Sequence, residues 1–221
     1  MSHIETADTL ELRRGLIDAG RWIYARGWCP ATGGNFSARS QTDDSSHTSR
    51  YLVTASGRDK GALTEQDFLE VDDEGAPLIQ SDEVRPSAET LVHVMLYQLD
   101  PEIGAVLHAH SIPNTVLSLA EPSAQLKIQG FEMQKALQGE RTHEAEISLE
   151  IFDNTQDMQA LAQSVKARWG ERSGLKWGLL VRGHGVYAWG RDIQEARRHL
   201  EGLEFLFSCL LELKKIGAAS R

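Results

Sequence analysis

The segment IGAVLHAH at residues 103–110 constrains the fold more than any other part of the chain. It is a continuous apolar and β-branched run that ends on two histidines, and it reads as a buried strand. On its N-terminal side Pro86 opens a helical pattern, with Leu91, Met95 and Leu99 four apart, that stops at Asp100-Pro101. On its C-terminal side SIPNTVLSLA reads as another helix.

The rest of the chain repeats this interleaving. Leu12, Leu16 and Ile23 recur at helical spacing between Thr6 and Gly27, with Gly27 placed as a stop. The turn WCPATGGNFSAR passes into a short strand, QTDDSSHTSR has the composition of a surface loop, and YLVTA reads as a strand. VDDEGAPLIQ carries turn residues between two short apolar runs and is expected to form a hairpin. Downstream come a strand at EISLEIF, a helix from Thr155 to Trp169, and a hairpin-like pair, KWGLLVR and GVYAWG, around Gly183-His184-Gly185. The last helix, Asp192 to Lys215, is followed closely by Ile216. Leu200, Leu203, Phe207, Leu210, Leu211 and Ile216 make a stripe too broad for an ordinary surface helix, which points to heavy burial and, in this reading, to a contact between subunits. No repeat, low-complexity segment or linker divides the chain. One domain spanning residues 1–221 is expected, α/β in class, with a layered architecture and a sheet that is not purely parallel.

Composition narrows the function. With 23 basic and 32 acidic residues the net charge is −9, a field that repels nucleic acid and anionic lipid, so neither is expected as a partner. Two cysteines, Cys29 and Cys209, have no paired spacing, which indicates neither a disulfide framework nor a cysteine–zinc site. The start MSHIETADTLELRR lacks the apolar core of a secretory signal, and no apolar run approaches the roughly 20 residues of a membrane span. The cytoplasm is the expected compartment.

His108 and His110 are two apart at the end of the buried strand, so both imidazoles fall on one face, about 6–7 Å apart at the backbone. That spacing can chelate one metal, and a third histidine with a water or substrate completes an open zinc site. Taken alone, such a pair is more often two polar strand-end residues bonded to backbone. His184 lies between two glycines in RGHGVYAWG, where the backbone turns sharply and the ring has little neighbouring bulk, which makes it the natural third ligand. His3, His47, His93, His143 and His199 read as terminal, loop or helix-face residues. TGGNFS and TASGRDKG join glycine to hydroxyl or amide residues beside strands, which presents backbone N–H groups to an anion, and Arg58 and Lys60 add positive charge. Together they suggest a phosphate pocket; separately they are ordinary glycine turns. Glu89 in PSAET and Glu132 in QGFEMQKAL stand where glutamates commonly favour a helix N-terminus.

In this order, the GGN turn, the SG turn, the PSxE segment, the HxH pair and the late third histidine resemble the class II aldolase superfamily over nearly the whole chain. ATGGNFSAR, TASGRDKG, HAHS, GFEMQKAL and RGHGVYAWG are closer to its dehydratase branch than to the sugar-phosphate aldolases, GFEMQKAL being the most specific. The resemblance implies that His108, His110 and His184 hold one Zn²⁺ per subunit and that Glu132 is the acid/base group. It implies phosphate binding by Gly34, Asn35, Ser56, Gly57 and Ser87, with Lys60 beside them. Glu89 falls where the aldolases keep a catalytic glutamate and some dehydratases a cysteine, and Ala88 replaces the second serine of the aldolase SSE segment. The implied fold is a three-layer αβα domain with a central, largely antiparallel sheet, and the implied assembly is a homotetramer. The implied reaction is the dehydration of a small sugar phosphate, 5-methylthioribulose 1-phosphate, in methionine salvage. An aldolase or epimerase would use the same metal site, whereas a non-catalytic domain like the adducin head would be expected to lack the three histidines.

Overall fold

A computed structural model describes residues 7–40, 49–170 and 174–217. The elements in chain order are α1 (Ala7–Ala25), β1 (Asn35–Ser40), β2 (Arg50–Thr54), β3 (Phe68–Val71), α2 (Thr90–Leu99), β4 (Ala105–Ala109), α3 (Ile112–Ala120), β5 (Gln125–Ile128), β6 (Ile147–Phe152), α4 (Met158–Trp169), β7 (Gly178–Val181), β8 (Gly185–Gly190) and α5 (Ile193–Lys215). Two 3₁₀ turns occur at Glu65–Asp67 and Glu132–Ala136. Most of the polar loop expected at QTDDSSHTSR lies outside the described residues, as do His3 and His47.

The apolar run of β4 is explained by its place near the middle of an eight-stranded sheet, in the order β3-β2-β1-β4-β8-β7-β6-β5. Every neighbouring pair is antiparallel except β6 with β7, so the sheet is largely antiparallel and mixed. Along β4 the side chains alternate between two buried clusters. Ala105, Leu107 and Ala109 pack with residues of α1, α3 and α5, whereas Val106 packs with residues of α2 and α4. A strand covered on both faces has no polar side, and hence no polar alternation.

Local signals set the helix starts. Ser111 caps α3 by accepting from Asn114 N–H, Asp157 caps α4 through Ala160 N–H, and Asp192 caps α5 through Glu195 N–H. Pro86 does not open α2: it makes an antiparallel bridge to Ala55, and the helix begins at Thr90. The hairpin expected at VDDEGAPLIQ reduces to a tight turn after β3 with a single bridge from Val71 to Pro77, because proline has no N–H to continue a ladder. β5 was not anticipated, since QLKI is short and half polar.

The broad stripe of α5 is largely covered within its own chain. Leu200, Leu203, Phe207 and Leu210 are buried against the sheet and its neighbours, and Leu211 is half-buried against the same cluster. Ile216 remains exposed. The width of the stripe therefore does not require a second subunit.

Gly104 marks the closest backbone approach beside β4. A Cβ there would lie 2.0 Å from the Arg191 carbonyl oxygen. Gly104→Ala is expected to lower stability by about 1–3 kcal/mol, the usual cost of forcing volume into a packed site. A urea midpoint lowered with an unchanged m-value would show it.

Candidate metal centre

Strand register brings the site together. His108, fully buried on β4, pairs with Asn35 of β1 on one side and Tyr187 of β8 on the other. His110 follows directly, its N–H donating to Trp28 O at 2.7 Å. The turn from β7 into β8 carries His184 back over the end of β4. Gly185 makes that approach possible: a Cβ there would meet Ala109 O at 2.5 Å, His110 Cδ2 at 2.9 Å and His108 Cε1 at 3.0 Å. Glu89 arrives from the start of α2 as its N-cap residue.

Glu89, His108, His110 and His184 each offer one donor atom, and these atoms all lie within 4.8 Å of one another. His184 Nε2 is 2.9 Å from Glu89 Oε1, His108 Nε2 is 3.6 Å from the same oxygen, and the Nε2 atoms of His108 and His110 are 2.7 Å apart. His108 Nδ1 lies 2.9 Å from Val186 O, and a carbonyl only accepts, so Nδ1 carries the proton and Nε2 turns its lone pair to the cluster. The close approach of His110 Nε2 to that lone pair needs a proton or a cation between them. Burial, helped by the neighbouring His108 and His184, pushes the His110 imidazole down to about 3. Burial alone would raise the Glu89 carboxyl, but the imidazoles of His108 and His184 beside it hold it well below the usual carboxylate range. At neutral pH the set is thus a neutral His110 beside an ionised carboxylate.

This donor set fits a divalent ion. Imidazole nitrogens and a carboxylate oxygen are zinc ligand types, and an imidazole N–H donated to a backbone carbonyl is the usual support behind a ligating histidine. The Nδ1 of His184 is buried without a hydrogen-bond partner. Tyr187 backs the centre, its ring stacked on His108 at 3.9 Å between centroids.

The glycine turns gather beside the same cluster. Asn35 is buried and its Nδ2 donates to Glu89 Oε2. Gly34 has φ +78°, and a Cβ there would meet His108 O at 2.6 Å. The Ala55–Pro86 bridge and a 2.9 Å bond from Ser56 N–H to Arg85 O set the SG turn against the PSAE segment. Ser56 and Gly57 are exposed, and Ser87 is half-buried. Lys60 differs from expectation. Its side chain is buried, and Nζ donates to Thr32 O at 2.9 Å and Arg58 O at 2.7 Å, so it ties the two turns together from inside.

Glu132 stands apart from the four donors. It lies on the exposed face of the 3₁₀ turn Glu132–Ala136, with Lys135 Nζ at 2.6 Å and His143 Nδ1 at 3.4 Å. The bond from Lys135 lowers its pKa. His93 lies on α2, on its buried face, with Nδ1 2.7 Å from Ser37 Oγ. Tyr187 and Thr115, whose hydroxyl lies 3.1 Å from His184 O, carried no sequence signal, because only register and helix docking put them there. Cys29 and Cys209 are both free thiols.

The Class II Aldolase and Adducin N-terminal domain family matches residues 14–211. The methylthioribulose-1-phosphate dehydratase of Serratia proteamaculans is 52% identical over 205 residues, covering 93% of this chain and 96% of that protein. A protein of the same name from Enterobacter sp. is 48% identical over 211 residues, with coverages of 95% and 98%. Among solved structures, L-fuculose-1-phosphate aldolase from Thermus thermophilus superposes with a TM-score of 0.72 at 26% identity, over 96% of this chain and 99% of that one. A family match that runs through all four donors and both glycine turns, joined to relatives about half identical over almost their full length, settles the lineage: the chain belongs to the class II aldolase and adducin N-terminal domain family.

Proposed function

We propose that this protein is a hydro-lyase that dehydrates 5-methylthioribulose 1-phosphate to 5-methylthio-2,3-dioxopentyl phosphate and water, with one zinc ion per chain. The observation that carries the reading is the four-donor cluster in a chain 52% identical to a protein bearing that enzyme's name. His108, His110 and His184 would hold the ion. Bound there, it supplies Lewis-acid polarisation of the substrate ketone, which makes the C3–H more acidic.

The chain's own groups supply the rest. The turns at Gly34-Asn35, Ser56-Gly57 and Ser87 hold the phosphate through backbone N–H groups and short side chains, with Lys60 holding two of the turns together. Glu89, kept ionised, takes the proton from C3. The C4 hydroxyl leaves as water when Glu132, having first taken up a proton equivalent to the one removed from C3, delivers it to the departing oxygen. The enol so formed ketonises to the 2,3-dione. Because Glu132 stands outside the cluster of its own chain, its role goes with an oligomer in which it meets the site of a neighbouring copy.

The two hydrophobic clusters on opposite faces of the sheet support a three-layer αβα domain. An exposed stripe on α3, Ile112, Val116 and Leu119, supports a homotetramer, since apolar side chains at this spacing form one face and are costly to leave in water. Light scattering at micromolar concentration is expected to give the mass of four chains, and mixed His110→Ala and Glu132→Gln subunits are expected to recover activity that neither has alone. A fully active monomer would return Glu132 to the surface. Among the described residues no helix is long and apolar enough to cross a membrane. The reading places the enzyme in the cytoplasm, where a charged ketose phosphate is retained.

The presence of Glu89 where the aldolases keep a catalytic glutamate favours one second reading, cleavage of the C3–C4 bond. Incubation with the pure ketose phosphate decides between them. The expected product is the dione phosphate, with loss of water. Release of dihydroxyacetone phosphate would replace dehydration with aldol cleavage.

A further inference from the structure

Close to the metal centre, α5 contributes a carboxylate that the proposed reaction does not touch. Glu204 is 1% exposed, on a helix face otherwise lined by Leu200, Leu203 and Phe207. Burial pushes its carboxyl up to about 7, against the pull of hydrogen bonds from Ser111 and Asn114. Among the described residues no lysine or arginine pairs with it, so it is held by neutral donors alone. An apolar side chain would pack there at lower cost, and the presence of a carboxylate therefore points to what it holds.

Both partners lie at the start of α3. Ser111 Oγ donates to Glu204 Oε2 at 2.6 Å, and Asn114 Nδ2 donates to Oε1 at 2.7 Å. Ser111 is the residue after His110, and its Oγ also accepts from Asn114 N–H at 3.1 Å. Asn114 Nδ2 lies 3.3 Å from the carbonyl of Ala109, the residue between the two strand histidines. The Thr115 hydroxyl is shared between Asn114 Oδ1 at 3.2 Å and His184 O at 3.1 Å. A single network thus runs from Glu204 to the backbone at both histidine-bearing segments.

We propose that Glu204 is a positioning residue of the metal centre, an acceptor-only anchor that sets the direction of the hydrogen bonds running from α5 through Ser111, Asn114 and Thr115 to the backbone at residues 109–111 and His184. The physical reason lies in donor inventory. Once ionised, as at pH 8, the carboxylate has no proton to give, so Ser111 must donate to it and Asn114 must turn its amide nitrogen inward and its oxygen towards Thr115. A neutral side chain of the same shape carries its own N–H and permits the network to reverse. The inference rests on the four-residue cluster being the metal site, and not on which reaction that site performs.

The test is zinc affinity, measured by competition with a chromogenic chelator at pH 8 on the wild type, Glu204→Gln, Thr115→Val and the double variant. Each single substitution is expected to weaken zinc binding about 10- to 100-fold, the usual effect of losing a partner behind a metal ligand. The double variant is expected to be no weaker than the weaker single, because both interrupt one network. The metal-free forms are expected to melt close to the wild type. Zinc affinity within about twofold of wild type in both singles overturns the proposal. So does a loss of metal-free stability with zinc affinity unchanged, which would make Glu204 a packing group only. If Glu204→Gln fails to fold, Thr115→Val, half-buried and with a shape-matched replacement, decides by the same measurement. A wild type that binds no zinc sinks the metal reading itself, an outcome distinct from wild-type binding that the variants leave untouched.

Discussion

Replacing His110 by alanine is expected to leave a folded protein that holds no stoichiometric divalent metal and turns over the ketose phosphate roughly 10³-fold more slowly, or worse. Polarisation of a carbonyl by a bound cation contributes several kcal/mol, and about 4 kcal/mol is a thousandfold. The fold should survive because His110 lies just past the last residue of β4, so its removal breaks no strand pairing. Its neutral ring also makes no contribution as a charge: burial holds the imidazole down to about 3, so the proton is absent throughout the physiological range. Elemental analysis of the purified variant, with wild type prepared alongside, gives the metal content. Circular dichroism gives the fold. Wild type stripped by a chelator should lose activity and regain it with zinc, whereas the variant should not respond. A His110→Ala protein with normal turnover and no metal would remove the metal from the mechanism altogether.

Glu89→Gln and Glu132→Gln are each expected to lower kcat by about 10²- to 10⁴-fold, the contribution of a positioned acid or base. They should differ in which half of the reaction stops. Glu89 lies inside the cluster with its carboxylate accepting from His184 and Asn35, so its amide replacement keeps the shape but has no lone-pair base for the C3 proton. In deuterated water Glu89→Gln should show neither dehydration nor exchange at C3. Glu132→Gln should still exchange the C3 hydrogen while releasing no dione, because only protonation of the departing hydroxyl is lost. Equal metal content must be confirmed first, so that chemistry is separated from binding. Exchange lost in Glu132→Gln and kept in Glu89→Gln would swap the two roles. A near-normal Glu132→Gln would leave that residue as the exposed partner of Lys135 and His143.

Much of the architecture was legible because it is written in short-range periodicity. The buried strand at β4, the hairpin of β7 and β8, and the long last helix α5 follow from neighbouring residues, and the structure contains each of them. Where reading failed, two local signals competed. Pro86 is an ordinary first residue of a helix, but its bridge to Ala55 took precedence and moved the start of α2 to Thr90. The stripe on α5 is broad, yet breadth alone does not say which surface covers it, and here the sheet and neighbouring elements of the same chain do.

By itself, the sequence determined which donor atoms were available and that His108 and His110 share a strand end, since a period of two is a property of the backbone. Tertiary structure alone decided that His184 and Glu89 reach the same point, that Lys60 faces inward to two carbonyls, and that Glu204 anchors the helix after His110. These are meetings between segments far apart in the chain. They depend on the pairing of β4 with β8 and on how α2, α3 and α5 dock on the sheet, and such long-range packing leaves no trace in the spacing of neighbouring residues.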